Sequence, residues 1–279
     1  MLQCPPMILD VHHIGIAVRS MDRAYAFYRD ALGLPVVKEG VVPSRGVKVA
    51  MLSAGRCYLE IIEPTADGSP FARHIEEHGE GLHHVALWSD GIEPQVAALR
   101  EKGVPLADEH PRDGFTGRLS YLAPEAFDGA QLEVVEPDDG LTGGVLEGTS
   151  ITRIDHVVLH VPDVGAVSRR MQEWFGVATK RTFERGTRSF AFMRPGDVII
   201  EVIGPNGDGA EVTGKIAGLA FECKGIDALA ESLEALDFPV GDPHPALQGG
   251  RIVSVHASDA CGVPVAFIDF TGSPRPAKH

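Results

Sequence analysis

The feature that most constrains this chain is a fourfold internal repeat, and repeats decide an architecture before any single residue does. DVHHIGIAV at 10–18, GLHHVALW at 81–88 and RIDHVVLHV at 153–161 open alike; IAGLAFEC at 216–223 keeps the pattern with Gly218 where a histidine would stand. Each is a β-branched, alternating run that reads as a strand. An amphipathic helix follows each strand. MDRAYAFYRDALG follows Ser20 as N-cap, carries Met21, Tyr25, Tyr28 and Leu32 along one stripe, and stops at Gly33. The second helix uses Ile92, Val96 and Leu99 up to Gly103, and the third runs from Asp163 through Val167 and Met171 to Gly176. The fourth runs from Ile226 through Leu229, Leu233 and Leu236. Each unit closes with about three short strands, the last being YLEIIEP, QLEVVEP, VIIEVIGP or VAFIDF. The predicted unit is therefore βαβββ, and the predicted class α+β.

A chain of 279 residues suits two domains. The Gly-rich stretch PDDGLTGGVLEGTS separates the second and third units. The expected division is a first domain over 9–137, a linker over 138–150 and a second domain over 151–272. A net charge of −14 argues against a nucleic-acid partner, which would need clustered Lys and Arg. Cys4, Cys57, Cys223 and Cys261 show no CxxC pairing and read as reduced thiols, with room for one disulfide. No basic, apolar leader opens the chain, and no run approaches the roughly 20 apolar residues that cross a bilayer. The expectation is a soluble, cytoplasmic protein with no membrane partner, monomeric or homodimeric, acting on a small molecule.

Aligning the four units places chemistry on a grid. The opening strands offer His13, His84, His156 and Gly218; the closing strands offer Glu60, Glu133, Glu201 and Ala266, at separations of 47, 49, 45 and 48. A lone strand histidine is most often a packed core residue, and alternation alone could turn either Glu60 or Glu133 to solvent. The coincidence of type and spacing in consecutive units is the stronger signal. If the first two units pack as a pseudo-symmetric pair, His13, Glu60, His84 and Glu133 converge on one point. Two imidazoles and two carboxylates suit one borderline divalent ion, Zn²⁺, Co²⁺, Ni²⁺ or Mn²⁺. The second half keeps only His156 and Glu201, too few for a tight site, and reads as a degenerate copy. His74-Ile75-Glu76-Glu77-His78 matches a zinc-peptidase HxxEH pattern but is followed by Gly79, and reads as two surface histidines one turn apart. By alternation His12 and His83 face away from the grid.

HHIGIAVRSMDRAYAFYRDALGLPVV, YLEIIEP, SPFARHIEEHGEGLHHVALWSDGIE and QLEVVEP resemble the methylmalonyl-CoA epimerases of the glyoxalase/bleomycin-resistance/dioxygenase (vicinal oxygen chelate) superfamily. The resemblance covers nearly all of the first half, GEGLHHVAL being its most specific part; the second half is similar to the superfamily only diffusely. It implies two tandem vicinal-oxygen-chelate domains with curved mixed sheets, His13, Glu60, His84 and Glu133 at metal-ligand positions, and proton transfer α to a carbonyl through a chelated enolate. Glu133 is then the first candidate base and Glu60 the second. The chain departs from the family in three ways: Glu60 stands where Gln is common, SRGVKVAML before it offers Lys48 and no acid, and two halves are fused. Alternatives are a glyoxalase-I-like lyase, a dioxygenase using iron, against which four ligands count, and a non-catalytic small-molecule-binding protein, which would lack the ligands.

Overall fold

The computed structural model describes residues 7–138, 140, 144–206, 213–247 and 249–272, so Cys4 and part of the expected linker (139 and 141–143) lie outside the described residues. Two eight-stranded sheets carry the four predicted units. The first holds β1 (Ile8–Ala17), β2 (Val36–Val42), β3 (Val47–Ala54), β4 (Cys57–Pro64), β5 (Gly81–Ser89), β6 (Arg112–Asp113), β7 (Gly117–Tyr121) and β8 (Leu132–Pro137). Its order is β2-β3-β4-β1-β5-β8-β7-β6. The second holds β9 (Ile151–His160), β10 (Thr179–Arg185), β11 (Arg188–Met193), β12 (Ile199–Pro205), β13 (Lys215–Cys223), β14 (His244–Pro245), β15 (Arg251–Val255) and β16 (Val265–Asp269). It repeats the same order, β10-β11-β12-β9-β13-β16-β15-β14. In both, the two opening strands are neighbours at the centre, β1 beside β5 and β9 beside β13, and the closing strand of the later unit joins in parallel, as β5 with β8 and β13 with β16.

The helices fall where the apolar stripes predict. α1 (Met21–Ala24) buries Met21, then continues as a π-helical turn over Tyr25–Ala31. Tyr25, Phe27 and Tyr28 are all buried there, three aromatics within one turn where the 3.6-residue stripe predicts two. α2 (Pro70–His78) is an added helix between units, and α3 (Ile92–Glu101) buries Ile92, Val96 and Leu99. α4 (Val164–Phe175) is capped by the Asp163 side chain and ended by Gly176 in the left-handed conformation at φ 70°. α5 (Ile226–Ala235) stops one residue short of expectation, leaving Leu236 exposed.

A recurrent device ties helix to sheet. The acid three residues beyond the grid position of the closing strand accepts from the helix N-terminus: Glu63 from Met21 N at 3.0 Å, Glu136 from Ile92 N at 2.8 Å, and Asp269 from Gly225 N and Ile226 N at 2.8 and 3.2 Å. The negative charge satisfies amides that have no partner inside the helix and meets the positive end of its dipole. In the third unit the place belongs to Gly204, whose Cβ would lie 2.5 Å from the Val161 carbonyl. No acid fits there, and Asp163 caps α4 instead, accepting from Ala166 N at 2.8 Å.

By contacts the chain forms two compact units. One comprises 1–13, 84–141 and 157–217, bringing together most of the second and third repeats. Within it Arg170 reaches Asp128 at 2.9 Å, the Phe127 ring meets Trp174, and the Asp10 carboxylate accepts from Asp197 N and Val198 N. The other comprises 14–83, 142–156 and 218–279, most of the first and fourth repeats. There the buried Tyr28 hydroxyl donates to the Ala260 carbonyl at 3.0 Å and Phe27 packs on Phe238. Among the described residues no helix is long and apolar enough to cross a membrane.

Candidate metal centre

β1, β5 and β8 are consecutive strands at the middle of the first sheet, and each delivers one side chain to a common point. His13 Nε2 lies 3.1 Å from His84 Nε2 and 3.1 Å from Glu133 Oε1, and His84 Nε2 lies 3.9 Å from the same oxygen. One ligand atom from each of the three falls within 4.8 Å of the others, and all three residues are buried. Donors bonded at about 2.1 Å to one small divalent ion stand roughly 3.0–3.5 Å apart when adjacent, so this spacing and this donor set fit such an ion.

The electrostatics agree with an anion held by imidazoles. Burial by itself pushes the Glu133 carboxyl up, but the charge of His84, the hydrogen bond and charge of His13, and a hydrogen bond from Tyr121 outweigh it and hold it at about 2. Both Glu133 oxygens are sealed from solvent, so the carboxylate depends on these partners. Tyr121 arrives by strand register: it lies directly opposite Glu133 on β7, packs its ring edge-on to His84 at 5.5 Å, and carries the Arg112 guanidinium over its face at 5.4 Å. Sequence reasoning missed Tyr121, since nothing in GRLSY marks it until the β7–β8 register is known.

Glu60 is not a member of this three-residue group. It sits on β4 opposite Met51, is 8% exposed, and belongs to the other compact unit. His12 is likewise outside the three-residue group; it is fully buried, with its Nδ1 2.8 Å from His13 Nδ1. His74 and His78 lie on α2 with ring centroids 5.0 Å apart, His74 also facing His83 at 4.7 Å. In the second sheet His156 Nδ1 is 3.0 Å from Asp155 Oδ2, Asp155 pairs with Arg153 at 2.8 Å, and Arg153 pairs with Glu222 at 2.7 Å. His156 is thus tied into a chain of alternating charges, and among the described residues no second three-ligand group forms. Cys57, Cys223 and Cys261 are buried and stand outside any disulfide among the described residues.

A sequence profile of the Glyoxalase/Bleomycin resistance protein/Dioxygenase superfamily matches residues 12–121 and 155–254. The uncharacterized protein YqjC of Bacillus subtilis (strain 168) is 38% identical over 126 residues, 45% of this chain and 90% of that protein. The ethylmalonyl-CoA/methylmalonyl-CoA epimerase of Cereibacter sphaeroides is 30% identical over 131 residues, 46% of this chain and 98% of the epimerase. At the level of fold, a mutant of 4-hydroxymandelate synthase from Streptomyces coelicolor superposes with a TM-score of 0.69 at 15% identity, covering 98% of this chain and 95% of that one.

Proposed function

The chain belongs to the glyoxalase/bleomycin resistance protein/dioxygenase superfamily, and from that premise we propose that it is a metal-dependent isomerase or epimerase. It moves a proton α to a carbonyl, with chemistry like that of the methylmalonyl-CoA epimerases. The observation that carries the reading is the buried His13, His84 and Glu133 group, with its three ligand atoms within 4.8 Å. We take the first-half span 9–137 as the domain that does the work.

When bound, a divalent ion supplies Lewis-acid stabilisation of the negative charge that develops as the α proton leaves. His13 and His84 offer Nε2, and Glu133 offers Oε1, as the ligands that hold it. Tyr121, directly opposite Glu133 on the paired strand, helps hold its carboxylate ionised. Glu133 stays the first candidate for the proton-transfer role and Glu60 the second, on the spacing of the repeat grid; a fourth-ligand role for Glu60 rests on the same spacing. The stretch before Glu60 still offers no second acid: Lys48 stands opposite Glu63 on the paired strand.

The test is metal analysis of the purified protein together with solvent-deuterium exchange into methylmalonyl-CoA. The expected result is one divalent ion per chain and deuterium entering at the carbon α to the carbonyl. Bound metal without exchange would keep the centre and sink the epimerase. One observation favours a second reading. Two histidines and one carboxylate are the set that non-haem iron oxygenases use, and these three, without Glu60, are the residues brought together. Oxygen uptake by the Fe²⁺-loaded protein in the presence of an organic substrate would select that reading.

A further inference from the structure

Cross-strand partners and alternate residues share a face of a sheet, so the register of β10, β11 and β12 lays three rows on one face. They are Arg181–Phe192–Glu201, Phe183–Phe190–Ile203 and Arg185–Arg188–Pro205. The first repeat has the same rows in the same register: Lys38–Met51–Glu60, Gly40–Val49–Ile62 and Val42–Val47–Pro64. The closing strand keeps its Glu, Ile and Pro. On the other two strands Gly, Val and Met have given way to three phenylalanines, and a pair of valines to a pair of arginines. Helix α4 covers the opposite face: a Cβ on Gly204 would lie 2.9 Å from Val164 Cγ2, and Ala191, Met193, Ile200 and Val202 are fully buried there. The aromatic face is more open, with Phe183 and Phe192 half-buried and Arg181, Arg185 and Arg188 exposed.

We propose that this face of the third repeat binds a small planar aromatic anion, its ring stacked on the phenylalanines and its charge held by Arg185 and Arg188. The proposal is independent of the metal centre. The Phe183 ring lies nearly parallel to Phe190, at 13° and 4.7 Å, and to Phe192, at 19° and 5.7 Å. Such a pile presents a flat π surface that another planar ring extends. The Arg181 guanidinium, 5.2 Å over the Phe183 ring, stands at its rim. Arg185 and Arg188 are directly opposite each other, a like-charge pairing that repels unless an anion bridges it. A carboxylate or phosphate between them receives two planar donor forks. Successive rows lie about 7 Å apart, a gap that arginine side chains span. Glu201, in the far row, repels an anion at that end and so sets the direction of the ligand.

The test is titration of the full, metal-free chain with 2-naphthoate and with AMP, followed by calorimetry and by backbone amide shifts. The expected result is one aromatic anion bound per chain, with shifts centred on β10 and β11; the probe that binds tells an aryl carboxylate from a nucleotide. Cyclohexanecarboxylate has the charge without the π face, and 2-naphthalenemethanol the π face without the charge. Each is expected to bind about 10-fold more weakly or less. Phe183→Leu, and Arg185→Gln combined with Arg188→Gln, are each expected to weaken the aromatic anion about 10-fold or more. No saturable binding of either probe to the wild type overturns the proposal, and that measurement needs no variant to fold. So do shifts centred on β2 and β3, or a folded Phe183→Leu that binds as tightly as the wild type. A dimer in sedimentation that Phe183→Glu dissociates also overturns it, because a second copy of the chain then occupies the face.

Discussion

His84 and Glu133 stand on neighbouring strands, and each offers the buried group one ligand atom. Replacing either by Ala is expected to drop bound metal from about one ion per chain to below roughly a tenth, read by plasma emission on dialysed protein, since three ligands are the usual minimum for a catalytic centre. Glu60→Ala separates its two possible roles. If Glu60 is the base, the ion stays while deuterium exchange falls by about 10²–10⁴-fold; loss of the ion would make it a ligand instead. Glu133 also sets a pH dependence. Its folded-state value of about 2 lies below the ordinary 4.5, so the stability it contributes is present above 4.5 and is lost as pH falls from there through about 2. Unfolding of the metal-free protein across that window should show the loss, and Glu133→Gln should flatten it. His13, His84 and Glu133 were legible because the repeat displays the same position twice; Tyr121 was not, because cross-strand register leaves no trace in composition.

Between strands and helices, the carboxylates Glu63, Glu136 and Asp269 make three of the four closing strands the cap of their own repeat's helix. Asp269 shows the physical effect: burial pushes its carboxyl up, yet the Thr271 side chain and the backbone amides of Thr271, Ile226 and Gly225 together bring it below its ordinary value. Glu136→Ala is expected to cost about 1 kcal/mol, the usual size of a lost N-terminal cap, measured as a lowered midpoint in urea. Ser20 was identifiable as a cap from its place before the apolar stripe, and it accepts from Arg23 N at 3.3 Å. The distant acids were not, since each lies about 43 residues from the amide it serves and only closure of the repeat brings them together. The π-helical turn at Tyr25–Ala31 escaped for a related reason: period alone does not register an extra inward aromatic when core packing demands one.

For the molecule as a whole, an ion that binds the folded centre stabilises the fold by mass action, about 2.7 kcal/mol at a hundred times Kd. Thermal unfolding with excess Zn²⁺ should exceed that in chelator by roughly 5 °C, and Glu133→Ala should abolish the difference. Gly262 tests how closely the first and fourth repeats approach: at φ 81° its Cβ would meet the Glu80 carbonyl at 1.9 Å. Gly262→Ala is expected to destabilise by about 2–4 kcal/mol, seen as a lower melting temperature with metal content per folded chain unchanged. The repeat order, the βαβββ unit, the stripes of the helices and the grid of His and Glu were determined by the sequence itself, because period and spacing are local properties that every copy restates. Which copies pack into one compact unit, which carboxylate joins the two histidines and which nitrogen of His13 faces them were decided only in the tertiary structure. Those outcomes depend on strand order, register and side-chain contact between residues far apart in the chain, and a linear pattern carries no term for any of them.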